Sequence, residues 1–591
     1  MKKKNKIILD VECYIDYFLI SFLSVKTGKY REYEFHDDCK FNGADVSDMM
    51  SDFITISFNG NKYDLLMIAA ALRGWSTFQL KKLSDEIITS GKPSWIVAKN
   101  CGLQVPRHWE HIDLIEVAPG SASLKIYGGR MHSEKLQDLP IEPSANILPS
   151  QRELMRLYCR NDLITTHDLL KTLDKQLALR ETMSDQYNVD LMSKSDAQIA
   201  EALVKTYLGG FGVAATKRTT QIKPFKYRLP KWVEFKSDEF NEMLQKVVDC
   251  TFAINDKGSV VLPKELNKAV EYMGAKYKFG IGGLHSQEKS QVVIPNDDQL
   301  FGEFDVASMY PSIIIEQGLY PKHLGGKFLE VYSNIKETRL KAKRAKDKVT
   351  DGTYKIVLNG SYGKFGSKYS FLYSPELLIQ TTITGQLSLL MLIEKMTLAG
   401  GKVVSANTDG VNVLYNKSDY EDIHNVQFDW EITTSYELEY TPYLATYNRD
   451  VNNYVAIKED GLKGKGAFAD PNMMKNPTNE ICINAVKNYL SENIPIDVTI
   501  NYCRDVTKFL CVRSVTGGAV WRDQYLGKAI RWYYSTDGES IHYKKNGNKV
   551  PKSDGAKPLM DLCETIPDDL DLSWYIQESI SMLKDLGVNY A

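Results

Sequence analysis

The stretch VVSANTDGVNVLY, residues 403–415, decides how the rest of the chain is interpreted. An apolar run leads into the turn-forming residues Asn-Thr-Asp-Gly, and alternating apolar residues follow, which predicts a β-hairpin. The same pattern places the carboxylate of Asp409 at the tip of a tight turn, where a metal ion could be held over a reactive phosphate. Asn407, two positions earlier, is either a lost second ligand or a tolerated substitution.

A second stretch, GEFDVASMYPSIIIEQG (residues 302–318), predicts a strand that ends at Asp305, then a turn and a helix. Pro311 suits the first turn of that helix. Because the first N–H groups of a helix are unpaired, such a start can receive a phosphate. Asp305 is therefore a candidate metal ligand beside a candidate triphosphate site formed by residues 306–310. A strand-turn-helix corner with incidental polar groups is the alternative.

The composition indicates a multidomain globular protein. A chain of 591 residues is too long for one core, and about three to five structural units are expected. Its formal charge of −2 excludes a uniformly basic nucleic-acid binder, so any nucleic-acid contacts would come from local basic patches. The nine dispersed cysteines favour reduced thiols in a cytoplasmic compartment. No signal peptide or membrane span is predicted.

Three amino-terminal segments carry spaced carboxylates. In KIILDVECY, Asp10 and Glu12 lie on one face of a predicted strand, where two like charges need a cation. Asp64 follows a second strand and a turn, at the start of a predicted helix. In ELMRLYCRNDLITTHDLL, Tyr158 and Asp162 share a helix face. Each feature alone fits an ordinary solvent-exposed strand end or helix face equally well.

The segment IKETRLKAKRAKDKVTDGTYKIVLNGSYGKFG, residues 335–366, predicts two helices. The first is basic, runs from Ile335 to Val349 and ends in an Asp-Gly turn. Thr353 is predicted to cap the second helix. Basic helices usually present their lysines to solvent, and most of these lysines are expected to do so.

Taken together, the motifs resemble two known sets. The order Asp-x-Glu, Asn-x3-Tyr-Asp and Tyr-x3-Asp resembles the three exonuclease motifs of proofreading 3′–5′ exonucleases. DVASMYPSI resembles motif A of family B DNA polymerases, Lys-x3-Asn-x2-Tyr-Gly resembles motif B, and Asn-Thr-Asp-Gly occupies the place of motif C, where the family has Asp-Thr-Asp-Ser. The chain is similar to phage-type members, related to the protein-primed branch, but its intervals between motifs A, B and C are short. Those short intervals argue against large insertions and against terminal-protein priming.

The resemblance implies a role for each site residue. Each active site would hold two Mg²⁺ (or Mn²⁺) ions. In the exonuclease, Tyr158 would position the attacking water, Asn59 and Tyr63 would hold the primer end, and Lys135 would lie near the scissile phosphate or be a solvated surface lysine. In the polymerase, Tyr310 would exclude a 2′-OH and Tyr362 would line the nascent base pair. The implied metal ligands are Asp10, Glu12, Asp64, Asp162, Asp305, Val306 through its backbone, and Asp409; the other implied nucleotide-binding residues are Ser308, Arg339, Lys343, Lys355 and Asn359.

Several further segments are candidates for DNA contact. Gly282 and Gly283 resemble a Tyr-x-Gly-Gly segment, in which glycines let the backbone approach phosphates; the aromatic Phe279 is offset from the family spacing. Tyr454 matches a Lys-x-Tyr motif, but Asn452 stands in the place of its lysine. Lys463 and Lys465 are candidates to supply the positive charge of the absent lysine, and the sequence leaves open whether they do so. The carboxy-terminal candidates for contact with the duplex backbone are Arg522, Lys528 and Arg531.

The expected fold is α/β multidomain, an RNase H-like exonuclease domain followed by a right-hand polymerase. The expected divisions are 1–185 (exonuclease), 186–328 (connecting region and first part of the palm), 329–365 (fingers), 366–470 (second part of the palm) and 471–591 (thumb). Expected partners are primer-template DNA, dNTPs and replication accessory proteins, with no membrane, and a monomer is expected. The rival prediction is a DNA-binding replication scaffold with a decayed polymerase site that retains only exonuclease activity.

Overall fold

The computed structural model describes residues 4–39, 41–209 and 223–590. The basic, aromatic-containing sequence 217–231 fits contact with a DNA strand and an exposed loop equally well, and its first part, 217–222, lies outside these ranges. The helices are α1 Gly43–Asp52, α2 Asp64–Leu72, α3 Thr77–Thr89, α4 Ser94–Asn100, α5 Leu114–Val117, α6 Leu124–Arg130, α7 Arg152–Thr172, α8 Asp174–Tyr187, α9 Asp196–Tyr207, α10 Asp238–Asp249, α11 Met309–Glu316, α12 Lys327–Arg344, α13 Lys348–Lys364, α14 Pro375–Leu398, α15 Tyr420–Thr434, α16 Glu480–Glu492, α17 Ile496–Tyr502 and α18 Leu572–Asp585.

Twenty-three strands are interspersed among these helices in the described residues. They are β1 Lys6–Cys13, β2 Phe18–Ser24, β3 Tyr30–Phe35, β4 Ile54–Ser57, β5 His111–Asp113, β6 Phe225–Lys226, β7 Thr251–Ile254, β8 Val260–Val261, β9 Val270–Tyr272, β10 Ala275–Lys278, β11 His285–Ser286, β12 Gln291–Val293, β13 Gln299–Val306, β14 Lys402–Asn407, β15 Gly410–Asn416, β16 Leu438–Pro442, β17 Ala445–Asp450, β18 Asn453–Lys458, β19 Gly461–Lys465, β20 Cys511–Trp521, β21 Gln524–Glu539, β22 His542–Tyr543 and β23 Ala556–Pro558.

The chain divides into two compact units. The first contains Met1–Ser195, Pro471–Ile481 and Ile500–Ile576, and the second contains Asp196–Asp470, Cys482–Thr499 and Gln577–Ala591. The mixed α/β, multi-sheet character agrees with the expected fold class. The finer five-part division remains a prediction.

The first unit is built on a mixed sheet with strand order β3-β2-β1-β4-β5. β1 is antiparallel to β2 and parallel to β4. Its apolar residues Ile7, Leu9 and Val11 pack against α2, whose residues are almost all buried. A second sheet of this unit, β22-β20-β21-β23, is centred on the long hairpin β20–β21.

The second unit contains a seven-stranded sheet of order β16-β13-β15-β14-β11-β10-β9, a four-stranded sheet β12-β17-β18-β19 and the small sheet β6-β7-β8. Its central helix is α14, which is long and apolar enough to cross a membrane, but 89% of its most apolar window is buried inside the protein. That burial identifies α14 as a core helix, which explains why its apolar residues occupy every face.

The predicted boundary between two helices was wrong. α12 ends at Arg344 and α13 begins at Lys348, so the predicted Asp351-Gly352 turn lies inside α13. The break occurs earlier because Lys346 adopts a left-handed φ of +57° and Asp347 caps the next helix. Thr353, predicted as a cap, is fully buried in the helix interior.

Candidate functional site

A hairpin and a neighbouring strand place two carboxylates together in the second unit. β14 and β15 pair around the two-residue turn Thr408-Asp409, as the sequence predicts. β15 also pairs with β13, which sets Asp305 directly opposite Gly410. The turn is fixed on both sides, because Val306 N–H donates to the Asp409 carbonyl at 2.7 Å and Thr408 N–H donates to the Leu284 carbonyl at 2.8 Å. Asp305 and Asp409 consequently line one pocket.

Burial dominates the electrostatics of this pocket. Desolvation, together with the charges of Asp409 and Glu303, raises the pKa of Asp305 to about 7. Desolvation also raises the pKa of Asp409, against the opposing effect of Lys465. Partly buried carboxylates that repel one another are stabilised in their charged form by a cation, and hard oxygen ligands suit Mg²⁺.

Glu303 is a member of this pocket that the sequence analysis missed. It lies two residues before Asp305 on β13, and both line the pocket. Its Oε2 accepts hydrogen bonds from Lys463 Nζ at 2.7 Å and from the Tyr443 hydroxyl at 2.6 Å. The period of two in the sequence Glu-Phe-Asp was the signal that could have found it. Lys463, predicted to contact DNA, is therefore an ion-pair partner at the pocket.

Behind the acidic pair, the sheet carries a further polar residue that lines the pocket. Asn412 lies opposite Glu303 in the β13–β15 ladder and is 7% exposed. Its Nδ2 donates to Ser405 Oγ at 2.8 Å, and its Oδ1 has no hydrogen-bond partner among the described residues. Tyr454, predicted to contact DNA, is buried and also lines the pocket, and Lys465 Nζ lies 5.8 Å from its ring centroid.

The backbone that follows Asp305 is less available to a phosphate than predicted. The Val306 N–H is bonded to the Asp409 carbonyl, and the Ala307 N–H is bonded to the Glu437 carbonyl. The sheet thus uses two of the amides expected to cradle a triphosphate, so the nucleotide-binding role predicted for the Val306 amide is wrong. Its carbonyl remains a candidate ligand. Ser308 adopts a left-handed φ of +51° and is the residue immediately before α11.

Two tyrosines stack beside this helix. The rings of Tyr310 and Tyr362 have centroids 4.1 Å apart and planes 12° apart. The Tyr310 hydroxyl donates to the Gly282 carbonyl, and the Tyr362 hydroxyl is 2.7 Å from Thr382 Oγ1. Both rings are therefore held in fixed positions by α11, α13 and α14.

Two of the predicted triphosphate ligands pair with carboxylates, and the other two are exposed on a helix. Arg339 donates to Ser308 Oγ at 2.7 Å and to Asp351 Oδ1 at 3.1 Å, which holds α12 against α13. Lys343 pairs with Glu439 at 2.8 Å. The exposed side chains Lys355 and Asn359 lie one turn apart on one face of α13.

The paired glycines contact the hairpin. A side chain at Gly283 would lie 3.0–3.1 Å from atoms of Thr408, whereas a side chain at Gly282 would meet nothing within 4 Å. The missing side chain of Gly283 thus permits the close approach of this segment to the turn that carries Asp409. The phosphate contacts predicted for Gly282 and Gly283 remain predictions. Phe279, the offset aromatic residue, is buried in the interior.

The first unit brings four carboxylates together. Asp10 and Glu12 project from β1, Asp64 is the first residue of α2 as predicted, and Asp162 lies on the buried face of α7. Burial raises the pKa of Glu12 to about 8 and that of Asp64 to about 7. Burial also raises the pKa of Asp10, and the charges of Glu12, Asp64 and Asp162 add to the effect. Ligand atoms of Asp10, Glu12 and the thiol of Cys159 lie within 4.8 Å of one another.

Lys125, and not Lys135, is the lysine at this carboxylate cluster. Lys125 Nζ forms an ion pair with Asp162 Oδ1 and lies 4.4 Å from the Tyr158 ring centroid. Lys135 is 48% exposed and lies 3.9 Å from an exposed Asp561 carboxylate. Lys125 stands on the short helix α6 with no motif around it, so the sequence offered no signal for it.

The residues predicted to hold the primer end already form hydrogen bonds within the first unit. Asn59 has a left-handed φ of +71°, and its N–H donates to Asp113 Oδ1 at 2.7 Å. Asp113, which the sequence analysis missed, fixes this turn by also accepting from Asn61 N–H at 3.0 Å. The Tyr63 hydroxyl lies 2.8 Å from Ser84 Oγ, so it is engaged inside the unit.

The carboxy-terminal candidates have different surroundings. Arg531 is fully buried and donates to the backbone carbonyls of Ser133 at 2.7 Å and Leu559 at 2.8 Å. Its predicted role as a duplex contact is wrong, because a DNA phosphate cannot reach a buried guanidinium. Arg522 pairs with Asp537 and Glu539 and lies over the Trp521 ring. Lys528 is exposed on β21.

Comparisons with known proteins add little to these observations. No known family profile matches the chain, and no curated protein matches it. Among solved structures, the family B DNA polymerase of the hyperthermophilic archaeon Pyrobaculum calidifontis is similar, with a TM-score of 0.40 and 14% identity over 100% of this chain and 78% of that one. A score and an identity this low leave the function to be argued from the chain's own residues.

Proposed function

We propose that the protein is a template-directed DNA polymerase with 3′–5′ exonuclease activity. The observation that carries the proposal is the placement of Asp305 and Asp409 in one pocket, by two strands that pair residue for residue. Strand-end and turn-borne carboxylates of this kind suit phosphoryl transfer to a primer 3′-OH. The site would hold Mg²⁺ or Mn²⁺ through Asp305, Asp409 and the Val306 carbonyl.

The surrounding side chains suit the handling of a nucleotide. The stacked rings of Tyr310 and Tyr362 offer a flat surface for the sugar and base of a deoxynucleotide. Lys355 and Asn359 present one donor-rich helix face to a triphosphate, and Arg339 has guanidinium N–H groups beyond those bonded to Ser308 and Asp351. When bound, divalent ions would acidify the attacking hydroxyl or water and neutralise the leaving oxygen.

The carboxylates of the first unit support the exonuclease part of the proposal. Asp10, Glu12, Asp64 and Asp162 would bind the ions, because four mutually repelling, largely buried carboxylates need positive charge. Tyr158 would orient the attacking water. Lys125, held over that ring, would contact the scissile phosphate.

The proposal extends to partners and location. Primer-template DNA and dNTPs would be the substrates, and replication accessory proteins are further candidate partners of a monomeric enzyme in a phage-infected cytoplasm. Asn407 favours one rival, a DNA-binding scaffold that retains only the exonuclease, because it removes one carboxylate from the turn.

A primer-extension assay tests the polymerase directly. The folded protein with Mg²⁺, four dNTPs and a recessed primer should extend that primer in the order of the template. A folded preparation that degrades the primer but never extends it would favour the scaffold. Comparing an ordinary primer with a protein-primed origin would then address the priming mode.

Selective loss of activity tests the assignment of two sites. Asp305→Ala and Asp409→Ala should each abolish extension while degradation of single-stranded DNA continues. Asp10→Ala combined with Glu12→Ala should abolish degradation and leave extension intact, since its carboxylates belong to the other unit. Equal loss of both activities in either set would contradict the assignment.

A further inference from the structure

Two side-chain amides meet beside the acidic pocket of the second unit. Asn407 is the last residue of β14, and Asn452 lies in the loop between β17 and β18. Asn407 Nδ2 donates to Asn452 Oδ1 at 3.2 Å and to the Val451 carbonyl at 3.3 Å. Two of the positions at which the sequence departs from the motifs it resembles are therefore in direct contact.

The loop that accepts the hydrogen bonds of Asn407 is held by hydrogen bonds of its own. Asp450 Oδ1 accepts from the Asn452 N–H at 2.9 Å and from Asn453 Nδ2 at 2.8 Å. Asn453 Oδ1 in turn accepts from the Ala467 N–H at 2.8 Å. These bonds fix the backbone of the loop at Asn452, so Asn407 is tied to a segment whose path is set independently of it.

The contact joins the two chain segments that flank the pocket. Asn407 precedes the turn that carries Asp409, and its carbonyl accepts from the Asp409 N–H at 2.6 Å. The loop on the other side leads directly into Tyr454, and Val451 lines the pocket with it. Any movement of the turn away from this loop would move the Asp409 carboxylate relative to Asp305.

We propose that Asn407 and Asn452 form an uncharged clamp that positions Asp409, and that the two residues are matched to each other as donor and acceptor. The clamp rests on the proposed polymerase function, to which it adds two positioning residues. It also explains the absence of a carboxylate at position 407. A carboxylate there would face the Asn452 and Val451 oxygens without a proton to donate, in a pocket that already contains Glu303, Asp305 and Asp409.

Two substitutions with the same charge change separate the clamp from a simple charge effect. Asn407→Asp removes the donor, whereas Asn452→Asp keeps the acceptor, and each adds one negative charge at the pocket rim. Asn407→Asp should lower kcat for primer extension by about three- to tenfold with KM for dNTP within about twofold, since the triphosphate ligands are elsewhere. Asn452→Asp should stay within about twofold of the unaltered protein in both constants.

A rescue variant completes the test. Asn452→Lys placed in the Asn407→Asp background offers a cation to the new carboxylate, and it should restore kcat to within about twofold of the unaltered protein. Asn425→Asp, an exposed change on α15, is the control for added charge and should change neither constant. Equal effects of Asn407→Asp and Asn452→Asp, a gain of activity in Asn407→Asp, or no rescue by Asn452→Lys would each overturn the clamp.

Urea unfolding of the same variants keeps the clamp testable without catalysis. Asn407→Asp and Asn452→Lys should each lower the unfolding free energy, and the double variant should recover it, so that the effects are not additive. Additive losses would overturn the clamp even if the protein extends primers. If the unaltered protein fails to extend primers, the proposed function falls while the unfolding cycle still decides the clamp.

Discussion

At the scale of single residues, Tyr310 has a position that makes a specific prediction. Its ring is stacked on Tyr362 and its hydroxyl is bound to the Gly282 carbonyl, so the ring cannot move aside easily. Tyr310→Val should raise ribonucleotide incorporation relative to deoxynucleotide incorporation by at least about tenfold, because the ring would no longer exclude a 2′-OH. Competitive primer extension measures that ratio. Tyr310→Phe keeps the ring and should keep the discrimination; equal selectivity in all three proteins would remove this role.

Lys125 and Lys135 provide a test variant and its control, because the sequence pointed to Lys135 and the structure points to Lys125. Lys125→Met should lower 3′–5′ exonuclease activity by about 100-fold, because its ammonium is the one that lies among the buried carboxylates. Lys135→Met should leave the rate nearly unchanged, since Lys135 is exposed. Single-turnover degradation of a short single strand measures both. A large loss only in Lys135→Met would reverse the assignment.

The residues that sequence predicted well are those whose position follows from local pattern. Asp409 lies in a hairpin turn, and Asp64 begins a helix, because turn and helix-start signals act over a few residues. Arg531 and Lys125 were assigned wrongly or missed because their surroundings depend on chain segments far away in sequence. An isolated basic residue has no local feature that tells a buried guanidinium from an exposed one.

At the scale of elements, the boundary between α12 and α13 shows the same limit. The dipeptide Asp351-Gly352 is a strong turn signal, yet Asp351 lies in the helix and pairs with Arg339 across the helix pair. Thr353 and Tyr354 are buried next to it, so packing of the helix outweighs the local preference. The helix start was set by a different aspartate, Asp347, four residues earlier.

Asp347 therefore makes a prediction about α13. Its carboxylate accepts from the N–H groups of Val349 and Thr350, both at 3.1 Å. Asp347→Ala should lower the free energy of unfolding by about 1 kcal/mol, and Asp347→Asn, which can still cap, should lower it much less. Urea denaturation measures both. If Asp347→Ala is as stable as the unaltered protein, the helix starts later, as the sequence pattern had indicated.

At the scale of the whole molecule, sequence order and spatial order differ. The amino-terminal carboxylate cluster belongs to a unit that also contains Ile500–Ile576, a segment several hundred residues away. Motif order predicted two active sites but could not predict which distant segment completes each unit. Such pairings depend on burial of complementary apolar surfaces, which no local pattern records.

The carboxylate clusters also make stability depend on pH. Burial raises the pKa of Glu12 from 4.5 to about 8, and those of Asp64 and Asp305 from 3.8 to about 7. The folded protein thus binds more protons than the unfolded chain in this window, and this contribution to stability, complete at low pH, is lost as pH rises through the folded pKa values. In EDTA, the thermal midpoint should therefore be lower at pH 8 than at pH 6.

Magnesium should reverse that loss, since an ion that binds the charged carboxylates of the folded protein stabilises it by mass action. We expect Mg²⁺ to raise the thermal midpoint more at pH 8 than at pH 6, as scanning calorimetry would measure. Asp10→Asn combined with Glu12→Gln removes two of the titrating groups while keeping similar shapes, and it should flatten the pH dependence in EDTA and reduce the effect of Mg²⁺. An unchanged slope in that variant would show that the dependence arises elsewhere in the molecule.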